Sequence, residues 1–355
     1  MSYNLILDRA GQDSRGLMDD LKEVLGSNGF KIEEYRDVDS TGNLDDVSRG
    51  KELFISRGNK HFSLHSSKYR TFRSTGIIEN VDDVNDVNCG AFGVFANTDY
   101  LSPNLFYNQP SNKSITDSAG GACCIPKEDY FDYKIYADKK GWQWFIKVSF
   151  LDQATQLKLN FFVMFGDLTE GVDATQGQYT LGSNYCSPTG QTSTQTFYRK
   201  DFNNGTTQNP NGTTHPLMSD NAENYNIYYK NDTGSIEDYH SLQSATSTSF
   251  VAGFGNRNYA FNRGIMEHSF NGFLGITTLM PFEFFAPILS ADNKILKSMG
   301  QLKLGVVNHD GIEDEEIRII NNKKIQFFHV FIKREDHTIL TSQNRNMGIY
   351  IERGL

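Results

Sequence analysis

Proline is scarce in this chain, with 8 in 355 residues, and cysteine is scarcer, with 4. Cys89, Cys123, Cys124 and Cys186 contain no C-x2-C pair and no neighbouring histidine pair, so the zinc spacings are excluded. Vicinal Cys123-Cys124 lies in a Gly/Ala-rich stretch and reads as two buried thiols rather than a redox disulfide. No apolar run approaches the roughly 20 residues needed to cross a bilayer, so no membrane span is expected. Met1–Gly26 shows no cationic and then apolar leader, and the expectation is a soluble protein made in the cytosol. Asn112, Asn204, Asn211 and Asn231 each begin an N-x-[ST] sequon, which an Asn-rich chain without a leader produces by chance.

Basic charge is also in short supply. Lys and Arg number 34 against 43 Asp and Glu, a formal charge of −9, so no sequence-specific nucleic-acid partner is expected. Gly120-Gly121 is followed by no Lys-[ST] pair and is not a phosphate loop. No catalytic, cofactor-binding or metal-binding residue is assigned, no cofactor is expected, and the chain reads as no enzyme.

Aromatic residues are plentiful, with 26 Phe and 17 Tyr among many Gly and Asn turns. That combination reads as mainly β, sandwich-like sheets with long loops and a small N-terminal α/β unit. Residues 1–75 form that unit. Asp13 and Ser14 offer N-cap oxygens, Leu17, Leu21, Val24 and Leu25 fall on one helical stripe, and Gly26 stops it. A strand at Phe30–Tyr35 and a hairpin, Glu52–Ser56 with His61–His65, complete it. Residues 76–355 form a β-rich body with long polar loops at about 166–224 and 230–249.

In that body Trp142–Phe150 and Leu157–Phe165 form a hairpin with Trp142, Trp144, Ile146, Val148 and Phe150 on one face. The tryptophans on that face read as core rather than as a sugar platform. Pro281 and Pro287 bracket Phe282–Phe285, where an aromatic plug is expected rather than a continuous strand. The chain is organised around its last hairpin. Glu316–Ile320 turns at Asn321-Asn322-Lys323 into Lys324–Lys333, whose Ile325, Phe327, His329 and Phe331 alternate with Phe328, Val330 and Ile332. Two apolar faces call for cover on both sides, and His329 reads as a satisfied core histidine.

Five groups have the residue types of sites. His61 and His65 share one strand face about 13 Å apart, too far for one metal, and read as polar-face histidines. Lys60, Lys68, Arg70 and Arg73 make a basic patch, read as a solvated face or a subunit contact. Val81–Val87 lacks the calcium-loop pattern. Ser235, Asp238, His240 and Ser241 lack a G-x-S-x-G elbow. The acidic run Glu313–Glu316 reads as a solvated charge run.

The order of segments resembles virion structural proteins of tailed bacteriophages. It runs from the hairpin around Leu53–Leu64 through Phe106–Pro110, the strand pair at Tyr133–Phe165, a polar loop and Phe254–Asn256. It closes with Leu302–Gly311, the Phe-rich strand at Gln326–Ile332 and Gly348–Glu352. The resemblance covers Lys51 to Glu352 and leaves the N-terminal helix outside. It implies a non-enzymatic tail, baseplate or neck component located in the virion, partnered by other virion proteins and by its own copies in a ring. The long polar loop, Gln191–Thr214 above all, is the expected assembly contact. The competing class is a carbohydrate-binding or carbohydrate-cleaving receptor-recognition tail protein, for which no carboxylate pair stands out.

Overall fold

The computed structural model describes residues 2–37, 50–67, 71–72, 78–79, 89–97, 99–102, 120–126, 130–152, 157–167, 177–182, 184–186, 195–196, 226–230, 236–238, 240–241, 279–289, 294–308, 312–329 and 347–354. In chain order the elements begin with β1 (Tyr3–Gln12), α1 (Ser14–Ser27), β2 (Lys31–Asp37), β3 (Gly50–Arg57), β4 (Lys60–Ser67), β5 (Thr71–Phe72) and β6 (Ile78–Glu79). Next come β7 (Cys89–Asn97), β8 (Gly120–Pro126), β9 (Phe131–Asp138), β10 (Gln143–Asp152), β11 (Leu157–Asp167), β12 (Gly177–Gly182), β13 (Asn184–Cys186) and β14 (Gln195–Thr196). The rest are β15 (Asn226–Lys230), β16 (Ile236–Asp238), β17 (His240–Ser241), β18 (Leu279–Leu289), β19 (Lys294–Asn308), β20 (Ile317–Ile320), β21 (Lys323–His329) and β22 (Met347–Arg353). The protein is mainly β, with one helix among the described residues.

Helix α1 starts where a side chain can take over an orphan backbone donor. Asp13 Oδ1 accepts from the Gly16 N–H at 2.8 Å, and Gly29 follows the helix in the left-handed region at φ 89°. Its stripe of Leu17, Met18, Leu21 and Leu25 is fully buried. Two acids on its other flank reach strands: Tyr35 Oη donates to Asp19 at 2.5 Å and Tyr133 Oη to Asp20 at 2.6 Å. Burial, reinforced by those carboxylates, pushes both phenols well above the ordinary tyrosine range.

Strands β13-β8-β7-β4-β3-β2 form a six-stranded sheet. The helix and hairpin expected in residues 1–75 are present, and the hairpin's sheet continues directly into β7 and β8. A larger sheet runs β16-β15-β12-β11-β10-β9-β1-β22-β19-β18-β17, with the β20–β21 hairpin attached to β22. Only Tyr239 separates β16 from β17, yet they end opposite sides of that path. Two residues reach no more than about 7 Å, so the path bends back until its ends meet.

The bend makes three layers, and the middle one contains β9, β10 and β11. Ile135, Trp144, Ile146, Val163 and Phe165 of these strands pack in one core with α1 and with Leu53, Ile55, Phe62 and Val94 of the six-stranded sheet. Their alternate residues face the opposite way. Phe145 lies 5.8 Å from the Tyr136 ring, 6.1 Å from Phe162 and 5.1 Å from Phe328 of β21. Trp144 is fully buried, as its alternation predicts. Trp142, just before β10, lies under the Arg57 guanidinium at 3.8 Å from the ring centroid.

The closing hairpin has the expected turn: Asn321 and Asn322 adopt φ 50° and 61°. From Ile325 to Phe328 its second strand is buried on both faces, against Tyr350 and Ile312 on one side and Tyr136 and Phe145 on the other. Val330, Phe331 and Ile332 lie outside the described residues. The proline-bracketed segment differs from expectation, because β18 is one strand of 11 residues. Its register shifts between Pro281 and Glu283 and again between Phe284 and Phe285, so Pro281 sits beside an irregularity, while Pro287 pairs in register with Leu296. On its other edge β17 pairs only with Phe284 and Phe285, so neither proline has to donate there. The polar stretches expected as loops contain strands, β12 to β14 within 166–224 and β16 and β17 within 230–249, since cross-strand pairing outweighs weak local propensity.

Candidate functional site

The outer face of the six-stranded sheet carries a dense polar cluster. Residues of β2, β3 and β4 with even or odd spacing bring Arg36, Glu52 and His65 side by side, through the pairs Arg36↔Glu52 and Glu52↔His65. Arg36 Nε donates to Glu52 Oε2 at 2.8 Å, and His65 Nδ1 is 3.5 Å from Glu52 Oε1. Arg36 Nη1 also reaches Glu34 at 3.0 Å, and Tyr100 Oη donates to Glu34. Tyr100 packs on Phe54 at 5.4 Å between ring centroids, placing residues 99–102 over this face. Beside them Ser63 accepts from Asn97 Nδ2 at 2.9 Å, and Ser56 donates to Glu33 at 2.5 Å.

His61 and His65 do share this face, but it is not a solvated one. His65 is 0 % exposed and Glu52 1 %. A carboxylate beside an imidazole is the smallest set for proton transfer, yet a catalytic pair must reach its substrate. Here Glu52 is closed from solvent and shared between Arg36 and His65, so the group joins three strands. Lys60, grouped by sequence with a basic patch, is likewise buried, 3.5 Å from Asp167 Oδ1. Burial lowers its ammonium pKa while Asp167 opposes the shift. Lys68, Arg70 and Arg73 lie outside the described residues.

A pH dependence follows from the two histidines. Burial holds the imidazole pKa of His65 below the ordinary value against the pull of Glu52 and with the help of Arg36. For His61 burial also dominates, against Asp99 and Glu33 and with Lys31. The unfolded chain therefore takes up protons first, and stability falls as pH drops below about 6.5 toward the folded-state values. Each histidine contributes at most about 1.4 kcal/mol per pH unit in that window. Thermal melts from pH 7.5 to 5.5 should show a declining midpoint, with a shallower decline for His65→Gln. Parallel declines would show that His65 does not titrate on unfolding.

A second ionic group lies across the middle layer. Lys147, on the same face of β10 as Phe145, reaches Asp314 Oδ2 at 2.8 Å and Glu315 Oε1 at 2.7 Å. Lys134 of β9 also pairs with Glu315 and lies 3.4 Å from Asp8 of β1. Although burial opposes it, Lys147 and Lys134 together hold the Glu315 carboxyl below the ordinary range. Glu315 has φ 65°, its N–H donates to the Phe327 carbonyl at 2.8 Å, and Phe327 N–H donates to the Glu316 carbonyl at 3.0 Å. Asp314 accepts from the His329 backbone at 3.0 Å, and His329 Nε2 is 2.7 Å from the Ile312 carbonyl. His329 is satisfied, as expected. The acidic run is solvated only in part: Glu313 is exposed, whereas Asp314 and Glu315 clasp a lysine of the sheet beneath.

The remaining sequence candidates fall on strands or lie outside the described residues. Asp238 lies in β16 opposite Tyr228, His240 and Ser241 lie in β17 opposite Phe285 and Phe284, and Ser235 is outside the described residues. Val81–Val87 and the four sequon asparagines are outside them too. Cys89, Cys123, Cys124 and Cys186 fall on β7, β8 and β13, neighbours in one sheet. Among the described residues no group of three His, Cys, Asp or Glu is arranged to hold a metal ion, and no helix is long and apolar enough to cross a membrane. Sequence reasoning missed Arg36, Glu52 and Lys147 because isolated charges on strands carry no signal until register sets their neighbours. No protein-family model matches the chain, and no curated protein matches it.

Proposed function

We propose that this chain is a non-enzymatic structural subunit of a tailed-phage virion, in the tail or baseplate. It acts through contacts with its own copies and with other virion proteins in a symmetric assembly. The observation that carries this reading is where the buried charges go. Arg36–Glu52–His65 joins three strands under Tyr100, and Lys147–Asp314–Glu315 ties the closing hairpin to the middle layer. Charge used to lock strand to strand and one layer to the next suits a body that transmits load. The segment resemblance to virion proteins supplies the particle.

Quantitative mass spectrometry of purified particles tests the proposal. The expected result is the intact chain at a copy number that is a multiple of a ring symmetry. Its absence from particles, or release of sugar from glycans by the purified chain, would overturn the proposal.

A further inference from the structure

We propose that Asp314 and Glu315 form an acid-released latch. Their protonation strands Lys147 beneath the closing hairpin and frees residues 312–316 from the middle layer. The latch belongs to this chain alone and does not depend on membership of a particle.

The anions of the latch come from one side and its cations from the other. Asp314 and Glu315 precede β20, whereas Lys147 and Lys134 belong to β10 and β9. Acid therefore discharges the hairpin side and leaves the middle layer positive. Access differs as well. The Lys147 side chain is 3 % exposed, against 27 % for Asp314 and 29 % for Glu315, so protons reach the acids while the ammonium stays sealed. The Phe328 ring centroid lies 5.5 Å from its Nζ. A buried ammonium stripped of its counter-charges bears its whole desolvation penalty, and in acid it cannot shed its own proton. Relief comes only by admitting water. Among the described residues, the other charged or titratable groups nearby do not replace the lost acids. Asp8 reaches Lys134 at 3.4 Å and is itself discharged by acid. Burial keeps the Tyr136 phenol neutral, and Arg353 over its ring and Lys324, on the Phe328 side of β21, add positive charge. Glu316 is taken by Arg318 at 2.6 and 3.1 Å, and His329 Nε2 meets the Ile312 carbonyl.

The segment that the latch holds is poised to leave. Glu315 sits in the left-handed region at φ 65°, which is costly for a residue with a Cβ. Its N–H donates to the Phe327 carbonyl at 2.8 Å, the Phe327 N–H to the Glu316 carbonyl at 3.0 Å, and the His329 N–H to Asp314 at 3.0 Å. Ile312, 4 % exposed, packs with Ile325, Phe327 and Tyr350. Lifting residues 312–316 breaks those three bonds and uncovers that apolar cluster. The ladder of β21 on β22, six residue pairs from Lys324 to His329, does not pass through the segment and stays. A local opening is therefore available short of unfolding. Burial opposes it, but Lys147 and Lys134 hold the Glu315 carboxyl below its ordinary 4.5. The latch is thus complete above about pH 4.5 and is lost as pH falls through the lowered value.

Hydrogen exchange of the full chain, scored against unfolded-chain rates at each pH, tests the latch. Between about pH 7 and about pH 3 the peptide over 312–329 should lose at least about tenfold more protection than the peptide over α1. Asp314→Asn with Glu315→Gln removes both charges without acid and should open the segment by about the same factor near pH 7. Adding Lys147→Met removes the stranded cation and should return protection to within about threefold of wild type, with no acid step left. A paired variant as protected as wild type, or a triple variant no better than the pair, would overturn the proposal. So would an equal loss over α1, in acid or in the paired variant, because that reports unfolding of the whole chain.

Discussion

Replacing Phe145 by alanine should lower the free energy of unfolding by about 3–5 kcal/mol. Phe145 lies on β10, the strand with neighbours on both sides and a packed layer on each face. Its ring meets Tyr136 and Phe162 within the middle layer and Phe328 of the closing hairpin. Each neighbour is itself anchored in a hydrogen-bonded ladder, so the cavity cannot collapse. The loss should appear in guanidinium titrations as a lower midpoint at unchanged slope. Phe145→Leu should recover more than half of it. If alanine costs under 1 kcal/mol, the hairpin is not seated on the middle layer as described.

Glu52→Ala should cost about 3–5 kcal/mol for a different reason. Glu52 is the main counter-charge of Arg36, whose side chain is 7 % exposed. Without it Glu34 is left as the other acid bridged to Arg36, at 3.0 Å and nearer the surface. The Coulomb attraction of the pair offsets the desolvation of both charges, so losing one partner leaves the other's penalty exposed. The double substitution Arg36→Met with Glu52→Leu removes both penalties and should lie close to wild-type stability, within about 1–2 kcal/mol. A double mutant as unstable as Glu52→Ala would show that packing, and not charge, holds that face together.

Much of the fold was legible because it is written locally. The helix is announced by Asp13 and by leucines at helical spacing, and the β3–β4 hairpin by two short apolar runs around Gly58. The Asn321-Asn322 turn follows from residues that accept positive φ, and the core position of Trp144 from strict alternation. β1 escaped notice: its side chains are mostly exposed or half-exposed and present no alternation, and it is a strand because β9 pairs with it along Tyr3–Gln12. β18 escaped because proline is judged by its local cost, while its tolerance depends on which edge a neighbour occupies.

Local spacing dictates which segments are helix, strand and turn, and which residues share a face, since those follow from 3.6- and 2-residue periods. It also dictates that the closing strand needs cover on both sides. Which layer supplies that cover is a long-range matter. Lys147 and Glu315 stand 168 residues apart in sequence and 2.7 Å apart in space. Only the folding back of the large sheet makes β10 the centre and turns the acidic run into a clasp.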